Sequence, residues 1–192
     1  MSSYRHIFAF VVALGVASGP AAGGQFGFLK RDPRIEFQAF KDPNERFTLA
    51  YPKDWQVIAG AGDVLVTFAA KSGEAALVVE RFRMNTTLAP EDITELFAQI
   101  ETDVLKERQP KATDVIAKID AVASMRAIVI DYARPGLSRP ERARQYSFPT
   151  GQELYRLTCS TVAVQFPKYD PVFVHVAESF KTVESKPVPN QQ

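Results

Sequence analysis

The sequence predicts an α+β domain in which an antiparallel β-sheet is sandwiched by helices. Three observations lead there. Short runs with alternating apolar residues lie on both sides of one long amphipathic segment. The connections between those runs are short and rich in turn residues, which suits hairpins rather than parallel crossovers. No glycine-rich phosphate loop follows any of the runs.

Residues 1–23 stand apart as a secretory signal. Arg5 precedes the apolar run Ile7 to Ala17, and SGPAAGG supplies small residues for cleavage near Ala22 or Gly23. An uncleaved membrane anchor is the competing reading, but a span needs about 20 apolar residues and this run is shorter. The region has no cysteine for lipidation and no arginine pair for the twin-arginine route. Residues 24–35 read as a flexible, proline-punctuated leader, residues 36–183 as the folded domain, and residues 184–192 (ESKPVPNQQ) as a disordered tail.

Phe47, Leu49 and Tyr51 alternate as one face of a strand, Pro52 ends it, Lys53-Asp54 turns the chain, and Trp55 and Val57 re-enter the apolar phase. Tyr51, Pro52 and Trp55 are thus the expected structural anchor. Val64 to Ala70 and Ala75 to Met84 follow as a hairpin, with Arg81 and Arg83 on a solvated face.

Pro90 to Gln109 is predicted to be a helix, because Pro90 suits its first position, Glu91 and Asp92 complement its positive end, and Pro110 stops it. Ile93, Leu96, Phe97, Ile100 and Val104 form its apolar stripe against Glu95, Gln99, Thr102, Asp103 and Lys106, and the acids Glu91, Asp92, Glu95, Glu101 and Asp103, whose spacing gives no convergent metal-ligand set, read as a solvated helix face. Strands are expected at Thr113 to Ile119, Arg126 to Ala133, Arg142 to Phe148 and Glu153 to Val164, the last two joined by a turn at Pro149 to Gln152. A final helix spans Tyr169 to Val183, with Asp170 as its cap, Pro171 first, and Phe173, Val176, Ala177, Phe180 and Val183 buried.

Candidate chemistry is sparse. Cys159 is the only cysteine, so no internal disulfide forms, and its alternation with Tyr155 and Leu157 makes it a core thiol rather than a nucleophile. His175 lies off the helical stripe and has no second ligand. No Ser/His/Asp set, paired cysteine or HExxH is present, which points to a non-catalytic protein. The chain is 46% apolar and carries a net charge of +1, so nothing in its global field recruits nucleic acid. The charge concentrates instead on the loop Arg134 to Glu141. With Arg142 and Arg144, it sets Arg134 and Arg139 and their neighbours, four arginines in all, against one acid. Those guanidiniums are candidates for docking a partner's carboxylates or phosphates, and the plainer alternative is a solvated hairpin tip.

Three stretches together resemble the PsbP family, extrinsic proteins of the photosystem II oxygen-evolving complex and their bacterial relatives. FTLAYPKDWQV is similar to its strand, proline and tryptophan signature, GQELYRLT from Gly151 to its penultimate strand, and Tyr169 to Phe180 with ESFK to its terminal helix. The similarity covers residues 36–183. It implies an antiparallel sheet between helices and an exported, non-catalytic accessory protein that binds or helps assemble a membrane protein complex. In a phototrophic source that complex would be photosystem II in the thylakoid lumen, with calcium retention, and otherwise the compartment is the periplasm or the exterior. No metal ligand is carried over, and the lipidation signal of cyanobacterial members is absent. The expected state is a monomer with no transmembrane anchor after signal cleavage and no nucleic-acid partner. The alternative function is a periplasmic small-molecule or metal-ion binding protein with its pocket between sheet and helix.

Overall fold

A computed structural model of the chain describes residues 35–183 except Leu137, and all that follows concerns them. The signal, most of the leader, and the tail lie outside the described residues. A compact unit begins at Glu36.

Six strands form the main sheet, in the order β3 (Gln56–Ala59), β4 (Val64–Ala69), β5 (Ala75–Leu88), β8 (Pro140–Val162), β7 (Met125–Pro135) and β6 (Thr113–Val122). Every neighbouring pair is antiparallel. Helix α1 (Glu95–Arg108) links β5 to β6, and α2 (Phe166–Ser179) follows β8. The helices lie on opposite faces. Along β7, Ala127 and Val129 join the large core that includes α2, while the intervening Ile128, Ile130 and Tyr132 pack with Ile93, Ala98 and Leu105 at α1. The predicted sheet between helices is therefore the observed architecture.

A second sheet was not expected. β1 (Phe37–Lys41), β2 (Phe47–Pro52) and β9 (Lys181–Thr182) form a separate three-stranded layer, so RFTLAYP belongs to it and not to the main sheet. Phe47, Leu49 and Tyr51 still face the core. Ser179 ties this layer to α2: its hydroxyl accepts from the Ala50 N–H at 2.8 Å and donates to the Val176 carbonyl. Phe180, just beyond the helix, is fully buried, with ring centroids 5.7 Å from Phe47, 5.0 Å from Phe148 and 5.7 Å from Tyr155. Aromatic pairs at such spacings contribute about 0.5–1.5 kcal/mol each beyond the area they bury.

The predicted turn at Pro149 to Gln152 is instead a kink within one long strand, β8. Gly151 takes φ 61° there, and the inward phase passes from Tyr146 and Phe148 to Tyr155, Leu157 and Cys159. One strand can therefore pair with β7 through its first half and with β5 through its second.

Both helices differ from the prediction. Pro90–Asp92 forms a 3-10 turn, with Asp92 accepting from the Ala89 N–H, and α1 begins only at Glu95. Its buried face is Ala98, Glu101, Thr102 and Leu105, whereas Leu96 is 70% and Ile100 47% exposed. The helix is rotated away from its most apolar stripe because the sheet beneath offers charged and polar side chains to pair with. At the other end, α2 begins at Phe166, so Pro171 sits inside the helix and Asp170 is not its cap. Val183 lies beyond the helix and is exposed, as is Val57 on β3. Cys159 is buried, and burial pushes its thiol pKa up, the opposite of activation.

Candidate functional site

The arginine-rich segment is the tip of the β7–β8 hairpin. Its strands reach further than predicted, pairing as far as Pro135 with Pro140. The Gly136 N–H bonds the Arg139 carbonyl at 3.1 Å. A Cβ on Gly136 would stand 2.3 Å from that same oxygen, so only glycine fits the turn.

The four arginines separate into two kinds. Arg134 lies opposite Glu141 in the ladder, and their side chains pair at 2.8 Å. Arg144 lies opposite Asp131, donates to its carboxylate at 2.8 and 3.3 Å, and also donates to Asp170 of α2 at 2.5 Å. Burial works against the Arg144 charge, but the hydrogen bonds and charge of Asp131 outweigh it and raise its pKa. Arg139 and Arg142 point outward, with Arg142 exposed over the Phe166 ring at 5.3 Å. The local excess of about three positive charges, counted along the chain, is thus reduced by Asp131 and Asp170, which cross-strand register and the helix bring in from elsewhere.

The anchor residues lie at the core. Tyr51 and Trp55 are 8% and 7% exposed, Pro52 is buried, and the Trp55 ring meets Tyr169 of α2 at 6.3 Å. His175 is exposed on α2, its ring 4.0 Å from that of Phe37.

A polar cluster under α1 escaped the sequence reading. Arg156 Nη2 donates to both Glu101 oxygens at 3.2 and 3.0 Å, and the Ser147 hydroxyl donates to the same carboxylate at 2.7 Å. Glu101 and Arg156 are each 3% exposed. Beside them Arg108 pairs with Glu80, and both guanidiniums stand over the Phe82 ring, at 5.5 Å for Arg108 and 4.6 Å for Arg156. The two acids and two bases balance, so the cluster holds α1 on the sheet rather than presenting unpaired charge to a ligand. One signal for it existed. Arg156 interrupts the apolar run of a strand buried on both faces, which demands a counter-charge from whatever covers the second face.

Between α1 and β6 runs an open groove of ≈ 320 Å³ lined by Glu95, Ala98, Gln99, Thr102, Lys106, Val115 and Ala117. Among the described residues no group of three or more His, Cys, Asp or Glu is placed to hold a metal ion, and no helix is long and apolar enough to cross a membrane.

No family model matches the sequence, and no curated protein matches it. Solved structures do. Cyanobacterial PsbP (CyanoP) from Synechocystis sp. PCC 6803 superposes with a TM-score of 0.57 at 15% identity, covering 82% of this chain and 98% of that one. LpqN of Mycobacterium tuberculosis, described as involved in cell envelope biogenesis, gives 0.54 at 9% identity, over 80% of this chain and 94% of that one. A Bacteroides thetaiotaomicron protein gives 0.55 at 11% identity, over 77% of this chain and 48% of that one. The fold is therefore PsbP-like.

Proposed function

We propose that this chain is an exported, non-catalytic accessory protein that docks on a membrane-associated protein complex through the β7–β8 hairpin tip. In a phototrophic source the complex is photosystem II, with calcium retention as the attendant role. The observation that carries the docking face is the division among the arginines. Arg134 and Arg144 are held by carboxylates within the fold, while Arg139 is exposed on a glycine-tightened turn and Arg142 is exposed beside it at the start of β8. A stiff support lowers the entropy lost on binding, and outward guanidiniums suit acidic or phosphorylated partners. The PsbP-like fold over most of the chain supports the accessory reading, although fold alone does not determine function.

The test is capture from detergent-solubilised membranes of the source organism by wild type and by Arg139→Glu/Arg142→Glu. The variant is expected to bind about tenfold more weakly, and wild-type capture to weaken as salt rises. A variant that captures the same complex undiminished refutes the docking face. Fractionation that finds the mature chain in the cytosol refutes export.

A further inference from the structure

Among the described residues the main sheet ends at β6, which pairs with β7 along one edge and with no strand along the other. Open edges invite pairing with another chain, and folds protect them with bulges and charge. The first turn of β6 is protected in that way, since the ladder slips between Thr113 and Ile116 and Asp114 takes φ 52°. The rest is not. From Ile116 to Val122 the register with β7 is unbroken, the stretch contains neither glycine nor proline, and Ile116 is 62% exposed.

The charges on this stretch are Lys118 and Asp120, two apart on one face and bound to each other at 2.6 Å. They share the face of Val129 and Ala127, their partners on β7, and so does Ile116 opposite Asp131. We propose that two copies of this chain pair edge to edge through β6, antiparallel about a two-fold axis at Ile119, merging their two main sheets into one. In that register Lys118 of each copy lies opposite Asp120 of the other, Ala117 opposite Ala121, and the exposed Ile116 opposite Val122. The edge is complementary to itself in charge, and this favours a second copy over a strand of another protein. An axis at Lys118 or at Asp120 would set like charges against each other. One at Ile116 would draw the bulged residues into the ladder. Main-chain hydrogen bonds along the open edge supply the affinity, as in strand addition generally; on pairing, the Ala121 N–H exchanges its bond to Asp120 for the Ala117 carbonyl of the other copy, while Asp120 turns to Lys118 of that copy.

The experiment is sedimentation of the full chain from about 10 μM to about 1 mM, a range that captures weak association. Lys118→Asp and Asp120→Lys are compared with wild type; both side chains are substantially exposed, so each variant folds. Wild type should dimerise with concentration, and each variant alone should do so about tenfold more weakly, because the symmetric contact is reversed twice. Mixed in equal amounts, the two variants should form a heterodimer, since one strand then carries two acids and the other two bases. Wild type that stays monomeric throughout, variants that dimerise as well as wild type, or a mixture that associates no better than its components would each overturn the proposal.

Discussion

Glu101→Gln would leave the buried Arg156 guanidinium without its counter-charge while changing little else. Glutamine keeps the volume of the side chain and can still accept the Ser147 hydroxyl, which lies 2.7 Å from the carboxylate. What disappears is the charge that faces Arg156 Nη2 at 3.0 and 3.2 Å, in a setting where each side chain is 4% exposed. Removing one partner of a buried ion pair costs about 3–5 kcal/mol. Glu80, directly opposite Arg156 in the β5–β8 register and itself buried, retains part of the compensation. The loss should therefore fall near the low end, about 3 kcal/mol, or a fall in Tm of about 6–12 °C for a domain of this size. Urea unfolding followed by the fluorescence of the single Trp55 reads this directly. The companion variant Glu101→Leu/Arg156→Met removes both charges and should return to within about 1 kcal/mol of wild type, because the desolvation of two ions disappears with them. A single variant that costs less than about 1 kcal/mol, or a double variant worse than the single, would show that the pair does not hold α1 in place.

Trp55→Ala should cost about 3–5 kcal/mol, as large aromatic truncations in cores do, with capture of the membrane partner unchanged in the molecules that stay folded; calorimetry and capture on one sample check both. Asp42 closes the β1–β2 turn, its carboxylate accepting from the Asn44 and Arg46 N–H groups and from the Arg46 guanidinium at 2.7 and 2.8 Å. Burial alone would raise its pKa, but these bonds to Arg46 and Asn44 and the Arg46 charge outweigh it and lower the pKa from the ordinary aspartate range. Because the folded value is depressed, the contribution is present above the unfolded pKa and is lost as pH falls through the folded one. Asp42→Asn should accordingly cost about 1–3 kcal/mol at pH 7, and the gap from wild type should narrow in melts carried below pH of about 4. The β6–β7 turn holds Ala123 at φ 55° and Ser124 at φ 63°, conformations that suit asparagine and glycine far better. Ala123→Asn/Ser124→Gly is expected to raise stability by about 1 kcal/mol in chemical denaturation, and a loss would mean that the turn is not of the two-residue primed type.

Some of this fold is legible in the chain and some is not, and the division follows the range of the interactions. Alternation placed β4, β5 and β7 because each strand's faces are set by residues two apart, as with Ile128, Ile130 and Tyr132 on the α1 side. The same local logic misjudged α1. Its apolar stripe at Leu96 and Ile100 is real as a pattern, but the facing sheet carries Arg156 and Ser147, and a helix settles where the whole interface is satisfied rather than where its own hydrophobicity peaks. β9, only Lys181 and Thr182, has no periodicity to read and exists because β2 lies beside it. PTGQ has the composition of a turn, and only the pairing of β8 with a different neighbour on each side of Gly151 makes it a kink.

The candidate site divides in the same way. That Arg134, Arg139, Arg142 and Arg144 lie close together is visible in the sequence, but which of them remain available is decided by Glu141, which holds Arg134, and by Asp131 and Asp170, which hold Arg144. Asp131 arrives through cross-strand register and Asp170 through a helix that starts a turn earlier than Pro171 suggests, with Pro167 in its first turn. Linear charge counting treats these four residues as equivalent, and their worth to a partner differs sharply. A guanidinium already bonded to a carboxylate must give up that bond to bind, whereas exposed Arg139 and Arg142 have no carboxylate bond to break and Arg142 gives up at most its contact with the Phe166 ring. Single substitutions should therefore separate by kind. Arg139→Ala and Arg142→Ala should weaken capture while leaving the melting temperature near wild type. Arg144→Ala, which strands Asp131 and Asp170, should lower stability by about 1–3 kcal/mol and affect capture only through the loss of folded protein.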